Sequence, residues 1–352
     1  MKDCTKEIRE NLLLWFKKNA RDLPWRKTRN PYALWVSEVM LQQTQVDTVI
    51  PYYRRFIKTF PTVKRLARAD LSEVLKVWEG LGYYSRARNL QKAARIISSQ
   101  FHGRIPDTLD GLLDLPGIGR YTAGAILSIA FNQEAPILDG NVKRVLSRLF
   151  AISGNPARGK AEALLWQLSA SLVPEGHASH FNQALMDLGA TVCAPRVPQC
   201  SICPLRDLCR GMATGNPEHY PAKIVKNPVP RRNAIAAVIY WQGRVLLTQR
   251  PPSGLLGGLW EFPNWEIDGN GRNNKKWIKN QVKKELGATA DVGESIGTFH
   301  HAFSHFKLTL QVFQCQARNT SAKGRWISLR ESNAFAMPRL HRRIANTLQE
   351  NL

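Results

Sequence analysis

Residues 115–121 read Leu-Pro-Gly-Ile-Gly-Arg-Tyr and stand directly before a helical stretch, Thr122 to Ala130. Gly117 and Gly119 predict a tight turn, after which the first backbone N–H groups of the helix stay open to a ligand. Such a helix start favours an anion, because its unpaired N–H groups and its dipole both attract negative charge. The stretch therefore predicts two helices joined by a phosphate-binding turn, and a simple helix–helix turn is the alternative.

Helical patterning extends in both directions from this turn, over residues 5 to about 215. Apolar residues recur at three- and four-residue steps, as in Ile8, Leu12, Trp15 and Phe16. Prolines interrupt the pattern where helices are expected to end, at Pro24, Pro31, Pro61, Pro106, Pro116 and Pro136. We therefore predict an all-α domain over residues 1–214.

The pattern changes after residue 214. Four prolines among basic and polar residues predict a linker over residues 215–233. Beyond it, residues 234–352 read as a small α+β domain, and Gln242-Gly243 predicts a hairpin between its first two strands. The predicted strands are Ala234–Tyr240, Arg244–Gln249, Ser295–Phe299 and Phe306–Gln316, and the predicted helices are Lys276–Leu286 and Pro338–Gln349.

The charge of the chain indicates a polyanionic partner. Its 352 residues carry 50 Lys and Arg against 27 Asp and Glu, a formal net charge of +23. Nucleic acid or an anionic membrane surface fits that excess. No apolar run reaches the roughly 20 residues needed to span a bilayer, and the charged start, Met1 to Arg9, is unlike a signal peptide. We therefore expect a cytoplasmic protein without a membrane anchor or a disulfide framework.

Two carboxylates are candidates for acid–base chemistry. Asp139 follows the glycine turn by about twenty residues and precedes Gly140 and Asn141, and a helix N-cap is its alternative role. Glu38 lies on an apolar helical stretch, where a solvent-facing position is the alternative and burial would instead raise its pKa. As a pair they fit glycosidic cleavage. Glu38 would protonate the leaving group, and Asp139, oriented by Asn141, would stabilise positive charge on the sugar or attack it.

Four of the six cysteines are closely spaced, in the order Cys193, Cys200, Cys203 and Cys209. Four thiolates hold either a tetrahedral zinc ion or a [4Fe–4S] cluster. Structural zinc sites usually contain two close pairs of cysteines, and here only Cys200 and Cys203 form such a pair. The spacing therefore favours the iron–sulfur cluster.

Six motifs together resemble the adenine DNA glycosylases, the MutY family of the helix-hairpin-helix glycosylase superfamily. They are Leu23–Arg26, Ser37–Thr44, Gly80–Arg88, Leu115–Tyr121, Leu138–Arg144 and the cysteine run, and the resemblance covers essentially the whole chain. It implies a base-excision repair enzyme that hydrolyses the N-glycosidic bond of adenine mispaired with 8-oxoguanine or guanine in double-stranded DNA, leaving an abasic site. It also implies that Glu38 and Asp139 are the catalytic carboxylates and that the four cysteines bind a [4Fe–4S] cluster.

The resemblance assigns further roles around these residues. Gln42 and Tyr83 are implied to wedge into the duplex as the adenine leaves the stack, and a polar helix residue and a core aromatic are the alternatives. The other residues implied to contact DNA are Arg26, Gly117, Gly119 and Lys143. Tyr121 stands where related lyases carry a Schiff-base lysine, so we expect hydrolysis without strand cleavage, apart from weak trapping of the opened sugar by Lys143.

The C-terminal domain resembles the Nudix fold and contains Gly-Leu-Trp-Glu-Phe-Pro at residues 258–263. A Nudix hydrolase needs several acids on one helix for its metal, whereas residues 280–287 read Asn-Gln-Val-Lys-Lys-Glu-Leu-Gly. We therefore expect a recognition role rather than pyrophosphatase activity. By resemblance, the loop Phe303-Ser304-His305 reads the 8-oxoguanine, and an ordinary strand turn is the alternative.

Three other functions compete with this prediction. An endonuclease III-like lyase for oxidised pyrimidines would share the cluster and the glycine turn, but Tyr121 and the C-terminal domain oppose it. A catalytically silent DNA-binding protein would not need the pair of Glu38 and Asp139, and a nucleotide pyrophosphatase would need the missing acids. We therefore predict a monomeric glycosylase with a helical catalytic domain and a Nudix-like recognition domain.

Overall fold

A computed structural model of the chain describes residues 2–222, 228–267 and 275–350. The chain divides into two compact units, of which the first comprises residues 1–68 and 89–226 and the second comprises residues 69–88 and 227–352. Among the described residues, the first unit is helical without a strand and the second contains a mixed sheet, so the predicted fold classes are confirmed. Residues 223–227 of the predicted linker lie outside the described residues, and the linker bounds stay a prediction.

The predicted run of helices is present from the start of the chain to residue 213. In chain order the α-helices are α1 (Lys2–Asn19), α2 (Pro31–Leu41), α3 (Val46–Thr59), α4 (Val63–Arg68), α5 (Leu71–Trp78), α6 (Ser85–Gln100), α7 (Leu109–Leu113), α8 (Arg120–Ala125), α9 (Gly140–Leu149), α10 (Gly159–Leu172), α11 (Ala178–Thr191) and α12 (Arg210–Ala213). A π-helical turn, Ile126–Ala130, continues α8. Within the described part of the chain, no helix combines the length and the apolar character needed to cross a membrane.

The core of the first unit forms where α1, α9, α10 and α11 meet. Val142, Val145 and Leu146 lie on one face of α9 and are at most 3% exposed. Phe181 and Leu185 of α11 belong to the same cluster and are fully buried. Because burying one large apolar side chain contributes roughly 1.5–3 kcal/mol, this cluster anchors the start of α9, where Asp139 lies.

Helix α2 is buried on every side, unlike an amphipathic surface helix. All residues from Tyr32 to Met40 are buried. The helix begins at Pro31, a residue favoured at a helix start, and the Asn30 side chain caps it by accepting a hydrogen bond from the backbone N–H of Tyr32. It ends at Leu41, and Gln43, two residues later, has a positive φ of 57°. The solvent-facing alternative for Glu38 is therefore wrong.

The second unit contains a seven-stranded sheet among its described residues. The strands are β1 (Arg231–Trp241), β2 (Arg244–Gln249), β3 (Trp260–Glu261), β4 (Asn264–Ile267), β5 (Ala290–Ala302), β6 (Lys307–Ala317) and β7 (Arg325–Ser328), and the helices that follow β4 and β7 are α13 (Lys275–Gln281) and α14 (Arg339–Glu350). The strand order is β3-β2-β1-β6-β5, with β4 paired to β1 and β7 paired to β2. Strands β1 and β6 are parallel, and the other pairs are antiparallel. The sequence prediction lacks β3, β4 and β7.

Strand β1 is covered on both faces because alternate residues belong to two different cores. Ala234, Ala236 and Val238 pack in the cluster that contains α14, and Ile235, Ala237 and Ile239 pack in the cluster that contains α13. This double cover explains the uninterrupted buried run in the middle of the strand. At the predicted hairpin, Gln242 and Gly243 have positive φ values of 46° and 76°, as a two-residue hairpin turn requires.

Candidate active site

Glu38 lies in the interior of the first unit, near the end of α2. Only 2% of the residue is exposed, and Tyr121 Oη donates a hydrogen bond of 2.7 Å to Glu38 Oε2. Burial is the main cause that raises the pKa of the Glu38 carboxyl to about 7. The hydrogen bond from Tyr121 lowers this pKa, while the charges of Asp139 and Arg26 raise and lower it, respectively. The carboxyl can therefore hold a proton near neutral pH and donate it.

Asp139 caps the start of α9, as the alternative role predicted. Its Oδ1 accepts a hydrogen bond of 2.7 Å from the backbone N–H of Val142, and its Oδ2 accepts one of 3.3 Å from Asn141 Nδ2. Arg144 Nη2 in turn donates to Asn141 Oδ1 at 2.9 Å. Burial is the largest influence and raises the pKa of Asp139 above its ordinary value, although the hydrogen bonds with Val142 and Asn141 and the charge of Arg144 oppose that rise. Asn141 thus contacts the carboxylate that it is predicted to orient.

The two carboxylates have different surroundings within one site. Glu38 lies on a helix that is buried on all sides, and its hydrogen bond comes from a phenol. Asp139 accepts hydrogen bonds from a backbone N–H and an amide, which stabilise its anion. The pKa values of both acids are raised, but an unequal set of hydrogen-bond donors is typical of sites where one acid donates a proton and the other stays ionised. Burial, with the charges of both acids, raises the pKa of Tyr121 well above its ordinary value, so the phenol remains a donor.

The glycine turn leads into α8, and Gly119 is the N-cap residue of that helix. Gly117 has a positive φ of 83°, and a Cβ at this position would lie 2.8 Å from the Cβ of Asn89, so the turn requires glycine there. A Cβ added at Gly119 would meet nothing within 4 Å. This open space in front of a helix start suits an anion, and the phosphate contact itself stays a prediction.

Arg26 is bound to a buried acid that the sequence analysis missed. Its Nη atoms lie 2.7 and 2.8 Å from the carboxylate oxygens of Asp187 on α11, and Arg21 Nε lies 2.6 Å from the same carboxylate. Burial alone would raise the pKa of Asp187, but the hydrogen bonds and charges of the two arginines hold it below its ordinary value. The sequence signal that could have identified Asp187 is an acid among the mostly apolar residues of α11. Arg26 therefore attaches the turn that precedes α2 to helix α11. Its contact with DNA stays a prediction.

Two other predicted DNA contacts also have partners inside the first unit. Lys143 Nζ lies 2.7 Å from Glu162 Oε1, and the Lys143 side chain is 20% exposed. Gln42 Nε2 donates to Thr122 Oγ1 at 3.3 Å, which links the end of α2 to α8. Contact of either side chain with DNA stays a prediction.

The four predicted ligand cysteines line one small cavity of about 30 Å³ together with Arg148. Arg148 Nη1 donates a hydrogen bond to Cys193 Sγ at 3.3 Å. Burial raises the pKa of the Cys203 thiol to about 11, and a backbone N–H of Leu205 opposes that shift. Among the residues that the structure describes, no three or more His, Cys, Asp or Glu side chains are arranged to hold a single metal ion. A shared cavity, four sulfur donors and N–H groups directed at them do fit a larger iron–sulfur cluster.

The second unit contains a pocket of about 360 Å³ in which Tyr83 and the loop Phe303-Ser304-His305 are brought together. Tyr83 is 42% exposed and has a positive φ of 47°, so the core-aromatic alternative is wrong. Residues 254–256 and the start of α14 complete the pocket wall. The volume and the exposed aromatic ring suit a ligand of the size of a nucleobase.

The loop Phe303-Ser304-His305 joins β5 to β6 and is held by aromatic packing. Phe303 stacks on Phe306 with ring centroids 4.5 Å apart, and the backbone N–H of Phe303 donates to Phe306 O at 2.9 Å. Ser304 and His305 are exposed, and Ser304 Oγ lies 3.2 Å from His305 Nδ1. The backbone is thus a strand turn that presents a serine hydroxyl. Recognition of a damaged base by this loop stays a prediction.

The helix that would bind a metal in a Nudix hydrolase has a different arrangement here. Glu285, the acid kept within residues 280–287, accepts a hydrogen bond of 2.8 Å from Trp265 Nε1. The two preceding residues are Lys283 and Lys284, both exposed. One carboxylate engaged by an indole and followed by no further acid does not supply the several oxygen ligands that a divalent cation needs.

Comparisons with known proteins agree with both units. The family model described as "HhH-GPD superfamily base excision DNA repair protein" matches residues 36–171, and a NUDIX domain model matches residues 234–347. The chain is 38% identical to the adenine DNA glycosylase of Rattus norvegicus, over 98% of this chain and 78% of that protein. It is 37% identical to the adenine DNA glycosylase of Buchnera aphidicola subsp. Acyrthosiphon pisum, over 99% of each. Among solved structures, a thermostable thymine-DNA glycosylase is 32% identical with a TM-score of 0.56, over 60% of this chain and 98% of that one.

Proposed function

Since the chain belongs to the adenine DNA glycosylase family, a family of base-excision repair enzymes, we propose that it removes adenine paired with 8-oxoguanine or guanine and leaves an abasic site in an intact strand. The observation that carries the proposal is the buried Glu38 carboxyl, with a pKa near 7 and a hydrogen bond from Tyr121. Adenine leaves poorly as an anion, so its departure needs an acid of this kind.

In the proposed mechanism, Glu38 protonates the adenine as its bond to the sugar breaks. General acid catalysis by a positioned group contributes typically 10²–10⁴-fold in rate. Positive charge then develops on the deoxyribose, and the Asp139 carboxylate, held by Val142 and Asn141, stabilises that charge or bonds to the sugar. Glu38, now ionised, accepts a proton from the water that attacks.

The proposal of an intact strand rests on the absence of a free amine among the residues named for the site. Strand cleavage requires an amine that forms a Schiff base with the opened sugar. Tyr121 supplies a phenol instead of an amine, and its Oη donates a hydrogen bond to Glu38. Lys143, one helical turn after Asp139, is ion-paired with Glu162 at 2.7 Å.

We assign the reading of the opposite base to the pocket of the second unit. The exposed ring of Tyr83 offers a stacking surface, and the Ser304 hydroxyl can donate to or accept from a purine edge. The remaining DNA contacts in the proposal are Arg26, Gln42, Gly117, Gly119 and Lys143. We also propose that the protein acts on double-stranded DNA as a monomer in the cytoplasm. Its mass in solution tests the monomeric state.

The four cysteines are proposed to hold a [4Fe–4S] cluster rather than zinc. When bound, such a cluster would tie residues 193–209 into one rigid loop. The purified protein is expected to be yellow-brown and to contain iron and acid-labile sulfide in equal amounts. Replacing Cys203 with serine should lower both, while the same change at the isolated Cys4 should not. Colourless protein that contains zinc would overturn the assignment.

An excision assay with three duplexes tests the function. The duplexes carry adenine opposite 8-oxoguanine, adenine opposite guanine, and thymine glycol. Abasic product is expected from the first two, with strand breaks appearing only after alkali or heat. Breaks without that treatment, together with attack on thymine glycol, would favour the lyase. A lack of abasic product from the first duplex would contradict the proposal.

A pair of glutamate variants tests the role of the buried Glu38 carboxyl as the proton donor. Glu38→Gln removes the proton donor without a large change in shape and is expected to abolish excision while duplex binding persists. Glu10→Gln changes a glutamate on α1 whose side chain is 65% exposed, and it should excise at the wild-type rate. Excision retained by the first variant would refute the acid role of Glu38.

A further inference from the structure

The pocket that contains Tyr83 has two arginines and no acid among its described lining residues. Its lining includes Arg88, Arg339, His301 and His305, and neither Asp nor Glu occurs among its described lining residues. A ligand with an aromatic part and an anionic part would match these groups. A nucleotide within a DNA strand has both parts, a base and a phosphate.

Several arginines around this pocket are committed to the protein itself. Arg88 donates hydrogen bonds of 2.8 and 3.2 Å to two backbone carbonyls of the loop 254–257. On α14, Arg342 Nε binds Glu79 Oε1 at 2.8 Å, and Arg343 Nη1 donates to a backbone carbonyl of β5 at 3.3 Å. These side chains hold the pocket walls, and their N–H groups already have acceptors.

Arg339 differs from these arginines. It is the first residue of α14, it is exposed and it lines the pocket, yet it has no hydrogen-bond or ion-pair partner among the residues described. The positive charge of Arg339 also acts on another residue of the pocket wall, His301. Burial first, and then the charges of Arg339 and Arg343, lower the pKa of His301. A guanidinium without an anionic partner, in a region of positive potential, is placed to bind an anion from outside.

We propose that Arg339 binds a phosphodiester of the DNA strand that carries the damaged guanine, beside the nucleotide that enters the pocket. This inference rests on the proposed role of the pocket in reading the opposite base. The planar guanidinium matches phosphate oxygens in two parallel hydrogen bonds, while Tyr83 and Phe303 offer aromatic surface to the base. Such a contact positions the strand and carries no information about the lesion itself.

The salt dependence of DNA binding tests this role, because each phosphate contact contributes about 0.9 to the slope of log affinity against log salt. Binding is measured by fluorescence anisotropy from 50 to 200 mM salt, using duplexes in which the sugar of the target adenosine carries a 2′-fluoro group, so that its glycosidic bond resists cleavage. Arg339→Gln should lower the slope by about 0.9, so the advantage of the wild type shrinks about 3.5-fold over that range. The loss should be equal for duplexes with 8-oxoguanine and with guanine. Arg339→Lys, which keeps the charge, should restore the slope.

Arg330→Gln is the matched control, since Arg330 is an exposed arginine of the same unit that does not line the pocket. It should keep the wild-type slope. The phosphate role is overturned if Arg339→Gln keeps that slope as well, or if its loss is confined to the 8-oxoguanine duplex, which would indicate contact with the base edge. It is overturned equally if Arg339→Lys fails to restore the slope. Failure of the proposed function would show separately, as an absence of excision by the wild type.

Discussion

Replacing Glu38 with glutamine should stabilise the protein above neutral pH while it abolishes activity. Folding raises the pKa of Glu38 from its ordinary value of 4.5 to about 7. Each pKa unit equals 1.36 kcal/mol, so the ionised carboxylate lowers the free energy of unfolding by about 3 kcal/mol once the pH exceeds both values. Solvent screening reduces this figure little, because only 2% of the residue is exposed.

The pH dependence follows from the direction of the shift. Because the folded state binds the proton of Glu38 more tightly than the unfolded state, the stabilising contribution is complete below about pH 4.5 and is lost as the pH rises through about 7. Glutamine stays neutral at every pH, and its amide oxygen can still accept the hydrogen bond from Tyr121. The advantage of the variant should therefore be near zero at pH 4.5 and grow to about 3 kcal/mol by pH 8.

Urea denaturation at pH 5, 6.5 and 8 measures this difference. The wild type, Glu38→Gln and the exposed-site control Glu10→Gln are compared at each pH by the loss of helical signal. The control should follow the wild type throughout, since its side chain is 65% exposed. Stability curves of the wild type and Glu38→Gln that run parallel from pH 5 to pH 8 would refute the reasoning. A pH-dependent gain of the same size in the control would do so too.

Three further predictions concern the surroundings of the site. Tyr121→Phe removes a hydrogen bond that lowers the pKa of Glu38, so the alkaline limb of the pH–rate profile for single-turnover excision should move to higher pH; an unmoved limb contradicts this. Asp187→Ala leaves two arginines without their buried partner and should lower the free energy of unfolding by about 3–5 kcal/mol. Urea denaturation measures this loss, and an unchanged midpoint would contradict it. Gly124→Ala places a Cβ 2.1 Å from Pro136 O, and it should lower the melting temperature through a loss of at least roughly 1–3 kcal/mol, whereas an unchanged melting temperature would show that the backbone relaxes freely.

The placement of Glu38 shows how far the sequence pattern reaches. Three- and four-residue spacing predicts the helix correctly, because that pattern depends only on local geometry. Whether the polar side of such a helix meets water depends on segments far along the chain. Here the cover includes Tyr121, which is 83 residues away in sequence and bonds directly to the carboxylate. The acid could therefore be identified as a candidate from the sequence, but its burial and raised pKa could not be derived.

The sheet shows a similar limit. The buried run of β1 and its hairpin turn are predictable because they combine β-branched and apolar residues with a Gln-Gly turn. Strands β3, β4 and β7 contain only two to four residues, too few to show a period of two. They exist because β1 and β2 offer them backbone partners. Pairing of this kind depends on the assembled sheet rather than on the local sequence.

Two buried acids of the first unit, Glu38 and Asp187, show opposite ways of placing a carboxyl in the interior. Asp187 is compensated by Arg21 and Arg26, which hold its pKa down, so it remains an anion and supports the fold. Glu38 has a phenol donor and, within the described part of the chain, no such ion pair, so its pKa rises and its anion destabilises the folded state. Arg26 connects the two, because its charge also lowers the pKa of Glu38. One arginine thus pairs with the structural acid and also acts on the pKa of the acid that is proposed to be catalytic.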